Sequence, residues 1–258
     1  MAKWTAFPYA GDYNFDAESV KTQWARLHAG DLEPVPDDPR LLQAWAHFHN
    51  GNFHQAMTQG LELGPDGLNV ANKAVCIYAN YLEKQEVRRH DLFWQVAERS
   101  AQHIQLQPGN VNAYYWRAYA LGRYSQGISV AKALAQGLGS KVKADLEHVL
   151  KLQPAHPDAH IALGAFHAEV IDKVGELIGA MAYGAHKHTG LNLLQQALSF
   201  NVASTLGMIE YAHAMIMLGG DAMLSEANRM YMVAASSEPA DAAERLDREL
   251  AKIALQDE

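Results

Sequence analysis

The chain has 258 residues, 49% of them apolar, and a net charge of −8. The apolar share supports a folded core rather than a disordered chain, and the acidic balance without any Lys/Arg run argues against a nucleic-acid partner. No stretch reaches the roughly 18–20 apolar residues of a membrane helix, and a single cysteine, Cys76, excludes an intrachain disulfide or a multi-Cys metal site.

Residues 1–15 read as an aromatic loop, and residues 1–12 lack the apolar run of a secretory leader, so a cytoplasmic protein is expected. Asp16 is placed to cap a helix ending near His28, with Val20, Trp24 and Leu27 on one face. Pro34 and Pro36 exclude a helix between residues 32 and 37. Asp38 followed by Pro39 is a helix start, because proline fits the first helical position. Gly51-Asn52-Phe53-His54-Gln55-Ala56 reads as a tight turn between two helices, with Phe53 filling the gap and Ala56 allowing close approach. A second hairpin is expected over 69–85 and 90–106, and Cys76 falls in its apolar run Ala74–Tyr78 as a buried, inert thiol.

The phrase Leu106-Gln107-Pro108-Gly109-Asn110-Val111-Asn112-Ala113 recurs 46 residues later as Leu152-Gln153-Pro154-Ala155-His156-Pro157-Asp158-Ala159. Each copy ends one helix at a proline and opens the next at a capping residue, expected at Asn112 and Asp158. The second copy continues as His160-x-x-Leu163-Gly164-x-x-His167, the W-x-x-L-G-x-x-Y skeleton of a tetratricopeptide (TPR) helix with histidine in both ring positions. Both units carry apolar inserts, Ile128–Leu134 and Val174–Met181, each followed by a glycine-bearing loop. Exposing two such segments would leave a large apolar patch, so they are expected to fold inward and line or fill the interior. Ala227-x-x-x-Tyr231-x-x-Ala234 with Pro239 reproduces the second helix of a TPR, and residues 240–258 form a polar helix striped by Leu246, Leu250 and Ile253. The expected architecture is all-α: one domain, a TPR-like right-handed α-α superhelix of about five helical hairpins with apolar inserts in the central two. Residues 1–40 form the N-terminal extension and helix, 41–239 the repeats and 240–258 a capping helix.

The doubled insert, Pro157–His167 and Tyr183–Leu198 together resemble the TPR-like family of the T component of tripartite ATP-independent periplasmic transporters. They also resemble the related regulator-of-microtubule-dynamics proteins. That resemblance implies an α-helical protein that associates with a substrate-binding partner and offers an internal channel to an apolar ligand.

Thirteen histidines raise a metal site, with clusters at His47, His49 and His54 and at His186 and His188. Two-residue spacing on a helix sends side chains to different faces and no His-Glu-x-x-His occurs, so no metal and no cofactor is expected. Gly137-Leu138-Gly139-Ser140-Lys141 lacks the order and the preceding strand of a phosphate loop, and Gly122–Gly127 lacks the glycine spacing of a nucleophile elbow. No paired carboxylates and no Ser/His/Asp set stand out. The remaining candidates are first-helix positions expected on the concave face: Leu41, Trp45 and His49; Tyr115, Tyr119 and Arg123; Ile161, Ala165 and Glu169. Rings with one Arg suit a peptide or an amphipathic small molecule, although packing of the same rings on the inserts as core is narrowly favoured. The leading reading is a non-catalytic binding or scaffold protein for a protein segment or small apolar ligand. The alternative is a metal- or His-dependent hydrolase on a helical scaffold. Homo-oligomerisation through convex faces is left open.

Overall fold

A computed structural model describes residues 4–256, which form fourteen α-helices and two short 3-10 turns, with no strand among them. Contacts divide the chain into two compact units. The first comprises the described residues through His28, Leu32–Val149 and Ala240–Ala243; the second comprises Ala29–Asp31, Leu150–Pro239 and the residues from Glu244 onward.

In the first unit, helix α1 (Ala17–Leu27) starts where its sequence dictates. The Asp16 carboxylate accepts from the Ser19 backbone N–H at 2.8 Å, and the Ser19 hydroxyl accepts from the Asp16 N–H at 2.9 Å, a capping box with serine in the glutamate position. Helix α2 (Pro39–His49) begins at Pro39 behind Asp38, whose carboxylate accepts from the Arg40 N–H at 2.8 Å. The turn to α3 (Phe53–Glu62) passes through Gly51 at φ +80°, where a Cβ would run into the Phe7 ring. Only glycine fits there on both counts. Helices α4 (Leu68–Tyr81) and α5 (Glu86–Leu106) form the second hairpin, α6 (Val111–Gln126) packs on both, and neighbouring α2, α4 and α6 touch in turn.

The 46-residue repeat is built as the sequence implies, but its caps lie two residues upstream of Asn112 and Asp158. The Asn110 side-chain oxygen accepts from the Ala113 N–H at 3.1 Å, and the His156 Nδ1 accepts from the Ala159 N–H at 3.1 Å. Asn110 and His156 are themselves 46 residues apart. The residue type differs while the acceptor position is kept, so the capping geometry is what repeats.

The apolar inserts form helices α7 (Val130–Ala135), in the first unit, and α10 (Glu176–Tyr183), in the second. Neither folds inward. Leu134 is 56% exposed and Met181 is 81% exposed, and α7 buries no residue. For α10 the reason is the close fit of helices α9 (Pro157–Val174) and α11 (Lys187–Phe200). A Cβ on Gly164 would lie 2.6 Å from the Leu194 Cγ and 2.9 Å from the Gly190 carbonyl oxygen. That interface leaves no space for an insert, so α10 packs against α9 from outside through Gly179, which is buried. Helix α8 (Leu138–Leu152) follows α7 and is anchored to α6 by Arg117, whose guanidinium makes two hydrogen bonds to Asp145 at 2.5 and 2.7 Å.

In the second unit, α12 (Thr205–Gly219) and α13 (Leu224–Ala235) enclose a core of Ile209, Ala212, Met215, Ala227, Tyr231 and Ala234. Helix α14 (Ala242–Ala254) adds Ala251 and the partly buried Leu250 to that core. Its apolar stripe is turned from the expected one: Leu246 is buried, while Ile253 is exposed.

Candidate binding face

The candidate residues divide by burial. Trp45, His49 and Tyr115 in the first unit and Ile161 in the second lie in the packed interior. Ile161 packs with Ala168, Leu194, Ala197 and Ala214, and the Tyr115 ring meets Trp116 edge-on at 4.8 Å. For these four, ordinary core packing is the observed geometry. Leu41, Tyr119, Arg123, Ala165 and Glu169 are half-buried, and Glu169 faces Lys173 at 3.9 Å.

Tyr119 and Arg123 form one surface. The Arg123 guanidinium lies 5.3 Å over the Tyr119 ring, and its Nη1 donates to the Gln126 side-chain oxygen at 3.3 Å. The stripe therefore runs i, i+4, i+7 along one side of α6. Neighbouring α4 carries a matching half-buried stripe of Lys73, Ile77 and Asn80, with the Lys73 ammonium 5.0 Å over the Phe48 ring and 5.6 Å over the Trp45 ring. The α4 stripe was not singled out from sequence. Ala71, Ala74 and Ala79 offer several choices for the small residue that sets the repeat register, so the helix could not be phased.

Cys76, on α4, is fully buried. Burial pushes its thiol well above the usual range, and Arg99 and Arg123 only partly oppose that. It is an inert thiol at neutral pH.

His49 has a partner that sequence spacing could not reveal. Its Nδ1 lies 2.6 Å from an Asp241 carboxylate oxygen, across 192 residues of sequence, and its Nε2 lies 3.4 Å from the His28 Nε2. A carboxylate at Nδ1 holds the proton there, as it would in a catalytic dyad. The His49 ring is 0% exposed, however, enclosed by Phe15, Trp45 and Phe48. No substrate reaches a nitrogen so enclosed, and the pair acts as a buried clasp between α2 and the segment Ala240–Ala243.

The other histidines have structural duties or lie apart. His160 donates to the His156 carbonyl at 2.9 Å, His167 accepts from the His186 backbone N–H at 2.9 Å, and the rings of His54, His186 and His188 are exposed. Among the described residues, no three His, Cys, Asp or Glu side chains are grouped to hold a metal ion, and no helix is long and apolar enough to cross a membrane.

No family model matches the sequence, and no curated protein does. A solved structure does match the fold: TTC0263, a thermophilic TPR protein of Thermus thermophilus, at a TM-score of 0.58 and 17% identity. The match covers 83% of this chain and 97% of that one. The all-α hairpins, their capping repeat and this likeness together make the fold TPR-like.

Proposed function

We propose that this chain is a non-catalytic binding protein of the cytoplasm that holds a segment of a partner protein against the α4–α6 face of its first unit. The observation that carries the reading is the pair of neighbouring stripes, half-buried Lys73, Ile77 and Asn80 beside half-buried Tyr119 and Arg123 and exposed Gln126. They present Tyr119 and Arg123, two of the residue types that most often carry binding energy at protein interfaces, beside an aliphatic side chain and polar groups. Stacked helical hairpins use such rows of first helices as extended binding surfaces.

The narrower likeness to the transporter T component rests on residues 157–167 and 183–198 and would add an apolar ligand in an internal channel. The outward position of α7 and α10 removes the apolar lining that such a channel needs, so a protein segment is the better reading. Hydrolysis through His49 lacks support, because its ring is enclosed.

The test is affinity capture from the source lysate with the wild-type chain and with a Tyr119→Ala/Arg123→Gln variant, each verified by circular dichroism. A protein enriched by the wild type and lost with the folded variant supports the face. An identical set of captured proteins from both would refute it.

A further inference from the structure

Glu33 lies in the segment between α1 and α2, and its carboxylate is held as a bound ligand would be. The Asn69 side-chain amide donates to its Oε1 and Oε2 at 3.0 Å each, and the Asn112 amide donates to Oε2 at 2.5 Å. Asn69 is the second residue of α4 and Asn112 the second residue of α6, and these two helices touch. Corresponding positions on neighbouring helices therefore close on one carboxylate. Both asparagines are buried, and Glu33 is half-buried.

Helical spacing ties this notch to the binding face. Asn69 stands four residues before Lys73 and Asn112 seven before Tyr119, so each heads the stripe of its own helix. The acid also sets the orientation of Asn69. The Asn69 Nδ2 serves Glu33 and the Asn110 side-chain oxygen at 3.1 Å, while its Oδ1 is buried with no hydrogen-bond partner. Turning the amide over would set that oxygen against the carboxylate, so the donors are committed to an anion and the acceptor is left unmatched.

The segment that brings Glu33 to the notch is strained. Leu32 has φ +46° and is the one non-glycine residue with a positive φ among the described residues. That left-handed conformation is disfavoured for any side chain with a Cβ and persists only where surrounding contacts hold it. Here the contacts converge on Glu33, whose carbonyl also accepts from the Trp24 Nε1 at 2.7 Å. Beyond Glu33 the hold weakens: Pro34 and Pro36 have no N–H to donate, and Val35 is 50% exposed.

We propose that residues 32–35 are an intramolecular strap, in which Glu33 occupies the head of the α4–α6 face until an acidic residue of the partner segment displaces it. The strap rests on the binding role proposed above and adds its regulation. Its own sequence describes the partner: an acidic side chain preceded by an apolar residue and followed by proline, which favours an extended backbone at the acid. Tethering gives Glu33 an effective concentration of about a millimolar at the notch. A partner therefore displaces it only when further contacts, those of Tyr119 and Arg123, add to the acid.

The test is a titration of the full-length, nitrogen-15-labelled chain with a terminally blocked synthetic peptide of residues 32–37. The side-chain amide resonances of Asn69 and Asn112 report on the notch. Glu33→Ala should shift both resonances, and the peptide should return them toward their wild-type positions. The peptide should bind Glu33→Ala roughly tenfold or more tighter than wild type, because the tethered competitor is gone. A peptide with Gln in place of Glu should bind neither protein, and adding Asn112→Ala to Glu33→Ala should remove the peptide's effect. Glu33→Gln keeps the side-chain shape and should act in the same direction to a smaller extent, so it carries the test if Glu33→Ala fails to fold.

A folded Glu33 variant that binds the peptide no better than wild type would make Glu33 a structural strut and overturn the strap. Equal recovery of the two resonances by acetate at the peptide's concentration would overturn the acidic-segment assignment. Partner capture with the Glu33→Ala chain separates the strap from the reading it rests on. Capture that depends on Tyr119 and Arg123 and rises above wild type supports both. Capture that depends on them but does not rise leaves the face standing and the strap refuted. Capture indifferent to Tyr119 and Arg123 removes the face, and the strap as its cover falls with it.

Discussion

Replacing Asp241 tests whether the first unit is closed by a side-chain clasp far apart in sequence. Its carboxylate meets the His49 Nδ1 at 2.6 Å, and the His49 ring is 0% exposed. Asp241→Ala removes a charge-assisted hydrogen bond and leaves the buried imidazole N–H without an acceptor. Truncating one member of such a buried pair costs about 3–5 kcal/mol. Asp241→Asn keeps an oxygen that accepts the same N–H and loses only the charge, so about 1–2 kcal/mol is expected. Urea unfolding followed by tryptophan fluorescence reads the event locally. Trp24 stacks on His28 at 4.0 Å, and Trp45 meets His28 edge-on at 4.5 Å, beside the clasp. The midpoint should fall in the order wild type, Asn, Ala with little change in slope. A stability for Asp241→Ala within about 1 kcal/mol of wild type would refute the clasp, as would equal losses for the two variants.

Other consequences follow from single positions. Gly51→Ala should cost at least about 1–2 kcal/mol by chemical denaturation, because φ there is +80° and the new methyl meets Phe7. Gly164→Ala should cost about 1–3 kcal/mol, since its Cβ would lie 2.6 Å from the Leu194 Cγ; an unchanged midpoint would mean that α9 and α11 are not in close contact. His103 is buried, and burial lowers its folded pKa below the ordinary 6.5, against the opposing pull of Gln107 and Asp66. The unfolded chain therefore takes up this proton more readily, and stability falls as pH drops below about 6.5 toward the folded value. His103→Gln should flatten that part of the stability–pH curve, and an unchanged slope between about pH 7 and 5 would count against the assignment.

The helices were legible because their local signals are strong. Asp16, Asp38-Pro39 and the Gly51–Ala56 turn each fix a boundary through contacts within a few residues, and the structure places them there. The inserts show where local reasoning ends. Their apolar composition called for burial, but whether a helix is buried depends on the space its neighbours leave, and Gly164, Gly190 and Leu194 leave none for α10. The candidate face shows a similar division. Register counting on α6 led to Tyr119 and Arg123, which are partly open, and also to Tyr115, which is core. Positions four residues apart share a helix side, yet the depth of each depends on the neighbouring helix. The His49–Asp241 pair was beyond reach, because it depends on what the fold brings together across 192 residues of sequence.

The most direct test of the binding role is photo-crosslinking in the source cell. A benzophenone amino acid replaces Tyr119 in one variant and Val87, which is 75% exposed on α5, in a control. The account predicts a discrete crosslinked protein from position 119, reduced by Arg123→Gln, and none from position 87. The same yield and partners from both positions, or no adduct at 119 in a folded and expressed protein, would contradict it.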